Sequence, residues 1–124
     1  MNKHFVRNSL IFASTVLSLP LLLWSGQSGL PSKTITGEVT DSICAPSGSH
    51  TATMAKSPSM GTDSQTCTKK CVAMGAKYVL YDEATRTMYS VDDQGKLEPF
   101  AGQKVSVTGI VTGNAIKVSN VRGL

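Results

Sequence analysis

The chain has little of what most enzymes and nucleic-acid binders need. Charged residues make up only 16% of its 124 positions, and aromatic residues only 6%. There are two histidines and three cysteines. No glycine-rich phosphate loop and no dinucleotide fingerprint occurs. With His4 inside an apolar N-terminal segment, His50 is the one histidine left to the remainder, so no serine, histidine and acid set can be assembled. The neighbouring carboxylates Asp82 and Glu83, and Asp92 and Asp93, lack the alternating spacing of a calcium loop and read as solvated turns.

The N-terminal segment has the pattern of an export signal. Lys3 and Arg7 precede the apolar run "SLIFASTVLSLPLLLW", Ser9 to Trp24, and "SGQSGLPS" follows with Gly26 and Ser28 as small residues for cleavage. The run is shorter than the about 20 apolar residues of a membrane span. Residues 1–28 are therefore expected to be a signal peptide and residues 29–124 a single domain, exported to a periplasmic or extracellular space. An uncleaved leader would be its sole membrane contact. The leader holds no cysteine to acylate. Without Lys3 and Arg7, ten basic and eight acidic residues remain, spread without runs. No nucleic-acid partner is expected from so weak and unclustered a balance.

Beyond the leader, periodicity of two dominates. "KTITGEVTDS" (Lys33 to Ser42) alternates, with Ile35, Gly37 and Val39 on one side and Thr34, Thr36, Glu38 and Thr40 on the other. From Ile43 to Asp63 the composition turns to Ser, Thr, Gly, Pro, Ala and Met without a period, which predicts a long loop. Asp63 or Ser64 then caps a helix that ends near Gly75, placing Cys67, Cys71 and Met74 on one face and Thr68, Lys69 and Lys70 on the exposed one. "KYVLYD" and "TMYSVDD" predict a hairpin, "DQGKLEPFAGQ" a connection with one helical turn before Gly102, and "KVSVTGIV" and "AIKVSNV" the last two strands. Tyr78 and Tyr81 point to opposite faces of one strand, so the tyrosines form no single stacking platform.

Five short strands, with a glycine in the first and another in the fourth, predict a mainly β fold that closes as a small barrel. The run "FAGQKVSVTGIVTGNAIKVSNV", Phe100 to Val121, resembles the last two strands of many OB-fold domains. "GEVTDSIC" together with "CTKKCVAMGAKYVLYD" resembles a family of small exported bacterial proteins of unknown function with an OB-like barrel. The resemblance spans roughly Ile35 to Val121 and implies the barrel and the exported location; it brings no catalytic residue. An OB arrangement places its helix between the third and fourth strands. The short cysteine-bearing helix is therefore expected as an insertion between strands 1 and 2, in a loop where OB domains bind ligands.

Three cysteines in an oxidising space leave one unpaired at least. Helical residues four apart hold their Cβ atoms about 5–6 Å apart, whereas a disulfide needs about 3.5–4.5 Å, so Cys67 and Cys71 are poor partners for each other. One alternative is a disulfide from Cys44 to Cys67 or Cys71, which would stabilise the domain by roughly 3 kcal/mol in the chain-entropy model. The other uses every sulfur: two thiolates on successive helical turns, joined by Cys44 and His50, make a Cys3His metal site. Thiolates suit zinc or copper(I), and Met54, Met60 and Met74 nearby add thioethers that favour copper(I). A C-x3-C pair with a remote histidine is also similar to the copper site of cytochrome oxidase assembly chaperones, whose thioredoxin-like fold this chain does not share. A thiol redox device is a third alternative, with Lys69, Lys70 and the helix N-terminus lowering the Cys67 thiol. The expected function is thus a non-enzymatic binding module whose metal ligands are Cys44, His50, Cys67 and Cys71, against a structural or interaction domain held by a disulfide.

Overall fold

The computed structural model describes residues 29–48 and 50–124, and the signal peptide expected at residues 1–28 lies outside the described residues. Five strands carry the fold: β1 (Ser32–Asp41), β2 (Tyr78–Asp82), β3 (Thr87–Val91), β4 (Lys104–Thr112) and β5 (Ala115–Gly123). Among the described residues three helices accompany them: α1 (His50–Lys56), α2 (Ser64–Ala73) and α3 (Gln94–Leu97). Short 3-10 turns occupy Ala45–Ser47, Pro58–Met60 and Glu98–Phe100. Among the described residues no helix is long and apolar enough to cross a membrane.

The sheet closes in a ring in the order β1-β2-β3-β5-β4. β1 is long enough to serve two neighbours. Ser32 to Glu38 pairs with Ile110 to Lys104 of β4, and Glu38 to Asp41 pairs with Tyr81 to Tyr78 of β2. Closure comes from a short parallel contact in which Ser90 and Val91 of β3 face Ala115 and Ile116 of β5. The expected role of the two glycines holds. A Cβ on Gly37 would stand 2.5 Å from the Tyr81 carbonyl oxygen, and one on Gly109 would collide with that of Lys117, beside an irregularity in the β4–β5 register.

Alternate residues of the strands point inward and fill the ring. Val39, Leu80, Val105, Val107, Ile116 and Val118 meet there, and Leu97 of α3 and Ala101 plug one end. Burying such side chains contributes about 1.5–3 kcal/mol each. Tyr78 joins this core while Tyr81 lies half-buried on the other face, as the alternation requires. The single helical turn expected before Gly102 is present as α3 and the 3-10 turn after it.

One expectation fails between β1 and β2. The segment from Ile43 to Asp63 is not an irregular loop but folds as α1 flanked by two 3-10 turns. His50, its first residue, bonds Glu38, Thr40 and Thr68, and Met54 packs against the cysteines, so α1 is held by two contacts of different kinds that leave no apolar period.

Candidate functional site

The site grows from the C-terminal half of β1. There Glu38, Thr40 and Asp41 are buried, although the alternation places Glu38 and Thr40 on the polar side of the strand. The helices between β1 and β2 cover that side. Glu38 and Thr40 therefore face protein instead of water, and each needs a partner.

His50, the first residue of α1, supplies both. It is 2% exposed and so stands in the interior, although the segment around it was expected to be a long loop. Its Nδ1 lies 2.5 Å from Glu38 Oε1. Its Nε2 lies 2.8 Å from Thr68 Oγ1 and 3.2 Å from Thr40 Oγ1. Burial alone would lower the imidazole, but the Asp41 carboxylate facing it and the hydrogen-bonded Glu38 carboxylate outweigh it, and His50 is raised from 6.5 to about 9. At neutral pH the ring is an imidazolium, whose Nδ1–H donates to Glu38 and whose Nε2–H donates to Thr68.

Thr68 corrects a second expectation. It is fully buried beneath His50 instead of sharing the exposed face with Lys69 and Lys70. Met74 is 65% exposed, not on the buried face. The cause is where α2 stops: Ala73 is its last residue, Met74 is the C-cap with φ −87° and ψ 4°, and the helical period no longer applies to it. At the other end Asp63 caps the helix as expected, accepting from Thr66 N at 2.8 Å.

The buried face of α2 presents Cys67 and Cys71 to Cys44, which follows the end of β1. All three are free thiols, and none is more than 2% exposed. The disulfide considered from Cys44 to Cys67 or Cys71 is not formed. Cys44 Sγ and Cys71 Sγ stand 3.7 Å apart, whereas bonded sulfurs are about 2.05 Å apart. Two sulfurs bound at about 2.3 Å to one tetrahedral ion would be about 3.8 Å apart. The observed separation matches the second geometry.

Burial first, then the Asp41 carboxylate beside them, push the Cys44 and Cys71 thiols up. In Cys44 the neighbouring Cys71 adds to the rise, while in Cys71 the hydrogen bond with Cys44 opposes it. Met54, Met60 and Val72 pack against this thiol cluster and cover it with apolar surface.

The four residues expected to bind metal come together in two overlapping groups. Cys44, Cys67 and Cys71 place their sulfurs within 4.8 Å of one another. Asp41, Cys44 and His50 place a carboxylate oxygen, a sulfur and a ring nitrogen within the same limit. Cys44 belongs to both. His50 is thus next to the thiol set through Cys44 and not through Cys67 or Cys71.

Asp41, Glu38, Thr40 and Thr68 are the site residues that sequence reasoning missed. Asp41 Oδ1 accepts from the backbone N–H groups of Ile43 and Cys44, both at 2.9 Å, and so sets the turn that aims Cys44 at α2. Burial opposes its ionisation, but the His50 ring facing it and the hydrogen bonds from the Cys44 and Ile43 N–H groups prevail, and Asp41 is lowered below its usual 3.8. Its spacing in D-x-x-C, an acid placed to cap the backbone of a following cysteine, is the signal that was available. Comparison of the chain with models of protein families, with curated proteins and with solved structures finds no match.

Proposed function

We propose that the chain is an exported, non-enzymatic binding module with an OB-like barrel, whose buried thiol pocket holds one zinc or copper(I) ion. The OB-like reading is supported by the ring of five strands and by α3, which lies between the third and fourth strands where that arrangement keeps its helix. Cys44, Cys67 and Cys71 are the proposed thiolate ligands, with the fourth donor coming from the Asp41 and His50 side. The observation that carries the reading is the approach of three free, buried thiols to within 4.8 Å of one another, with Cys44 and Cys71 3.7 Å apart.

Burial of every donor fits a closed site, in which the ion is held, better than an open catalytic one. The redox alternative needs a lowered thiol, and Cys44 and Cys71 are shifted the other way. Lys70, assigned there to activate Cys67, instead bonds the Ser59 carbonyl with its Nζ at 3.1 Å.

The test is a single preparation assayed for bound metal, free thiols and intact mass. One equivalent of zinc or copper, with three thiols titrating after denaturation under chelator, is the expected result. Metal-free protein that is lighter by two hydrogens and keeps one thiol would replace this reading with the disulfide-stabilised domain. Cys44→Ser and Cys71→Ser are each expected to reduce metal content to background.

A further inference from the structure

Resting on the metal-site reading above, we propose that Asp41 Oδ2 is the fourth donor, completing a Cys3Asp set that selects a divalent ion, zinc, over copper(I). His50 is then a positioning residue and not a ligand.

Asp41 has no accessible surface, and its two oxygens differ sharply. Oδ1 is satisfied by two backbone N–H groups, which fix the plane of the carboxylate. Oδ2 has no hydrogen-bond partner, and among the described residues it is the one buried side-chain oxygen or nitrogen in that condition. A buried carboxylate oxygen without a partner is costly and calls for a ligand. A carboxylate oxygen of Asp41 belongs to one close group with Cys44 and His50, Cys44 joins that group to Cys67 and Cys71, and the carboxylate's charge acts on both Cys44 and Cys71.

His50 Nε2 is less free. It is engaged by the hydroxyls of Thr68 and Thr40, and it sits 3.7 Å from Asp41 Oδ2, within reach of an ion pair but beyond hydrogen-bonding distance. Ligation through Nε2 would break both threonine bonds. Ligation through Asp41 Oδ2 breaks none.

Charge points to the same ion. Metal uptake turns three thiols into thiolates beside the buried carboxylates of Glu38 and Asp41. Every described lysine and arginine is exposed. A divalent ion leaves the pocket one negative charge closer to balance than copper(I) does, and uncompensated charge at this depth is expensive. The donor set agrees: an added carboxylate oxygen suits zinc, while copper(I) is served by sulfur alone.

The test compares the full chain with its Asp41→Asn variant by competition titration with zinc(II) and, separately, with copper(I). Asn keeps the Oδ1 acceptor and so the turn. Zinc affinity is expected to fall about tenfold or more, at least the loss that even outer partners of a metal produce, with copper(I) affinity changed by less than about threefold. Unchanged zinc affinity, or equal loss for both metals, would overturn the assignment of Asp41 while leaving metal binding intact. Failure of the unaltered chain to bind either ion would overturn the metal site itself and this inference with it. X-ray absorption of the zinc-loaded unaltered chain needs no variant. Three sulfurs at about 2.3 Å and one light donor at about 2.0 Å, without the outer-shell scattering of an imidazole, support Asp41, and imidazole scattering refutes it.

Discussion

Glu38 Oε1 on β1 lies 2.5 Å from Nδ1 of His50, the residue that opens α1, and both side chains are at least nine-tenths buried. This bond ties the segment between β1 and β2 to the ring. Removing the carboxylate strands an imidazolium in the interior, so Glu38→Ala is expected to destabilise the metal-free protein by about 3–5 kcal/mol. Glu38→Gln, which keeps an acceptor but no charge, should cost less and move the His50 titration from about 9 back towards 6.5. Urea unfolding measures the first effect, and NMR titration of the ring protons the second.

The same pair makes stability depend on pH in the metal-free protein. His50 is raised on folding, so its contribution is complete below its unfolded value of 6.5 and is lost as pH rises to about 9. Asp41 behaves oppositely. Its folded value is lowered from 3.8, so what it contributes is present above that value and is lost as pH falls below it. Urea midpoints should accordingly decline across the interval from 6.5 to 9, and the decline should vanish in Glu38→Gln if His50 then titrates at its ordinary value.

Metal uptake should run the other way with pH. Cys44 and Cys71 are raised from 9.0, so both are protonated at neutral pH and must lose their protons to bind an ion. Zinc binding near pH 7 is expected to release at least two protons per ion, and apparent affinity should climb as pH increases. Calorimetry in buffers of different ionisation enthalpy gives the proton count directly.

Gly102 links the ring to the thiol pocket. Its N–H donates to the Val39 carbonyl at 2.7 Å with φ at +72°, and a Cβ there would collide with the backbone of Ser64 and Gln65 at the start of α2. Gly102→Ala should cost about 2–4 kcal/mol through backbone strain and displacement of α2, and should weaken zinc binding by moving Cys67 and Cys71. Gly113→Ala is the control. Its φ is +57° with nothing within 4 Å of a Cβ, so it should cost about 1–2 kcal/mol and leave zinc affinity unchanged.

The strands were legible because period-two alternation survives wherever one face lines the ring, as in Val105, Val107 and Gly109 of β4. The cap and start of α2 were legible from Asp63 for a similarly local reason. The orientation of α2 was not. A helix reading Ser-Gln-Thr-Cys-Thr-Lys-Lys-Cys offers few apolar residues to mark its inner side, so Thr68, which faces His50, and Met74, which faces water, were exchanged. Long-range polar partners are still harder to read. Glu38, Thr40 and Thr68 look like surface residues until His50 is known to stand among them.

Alternation along β1 assigns Val39 to the interior of the ring while Glu38 and Thr40 contact His50. Sliding this strand by a single position against Leu80 and Tyr81 would turn Val39 outward and drive two polar groups into the apolar centre. Correct alignment of the strand and correct assembly of the pocket are therefore one event, and a mispaired chain would also be unable to capture an ion.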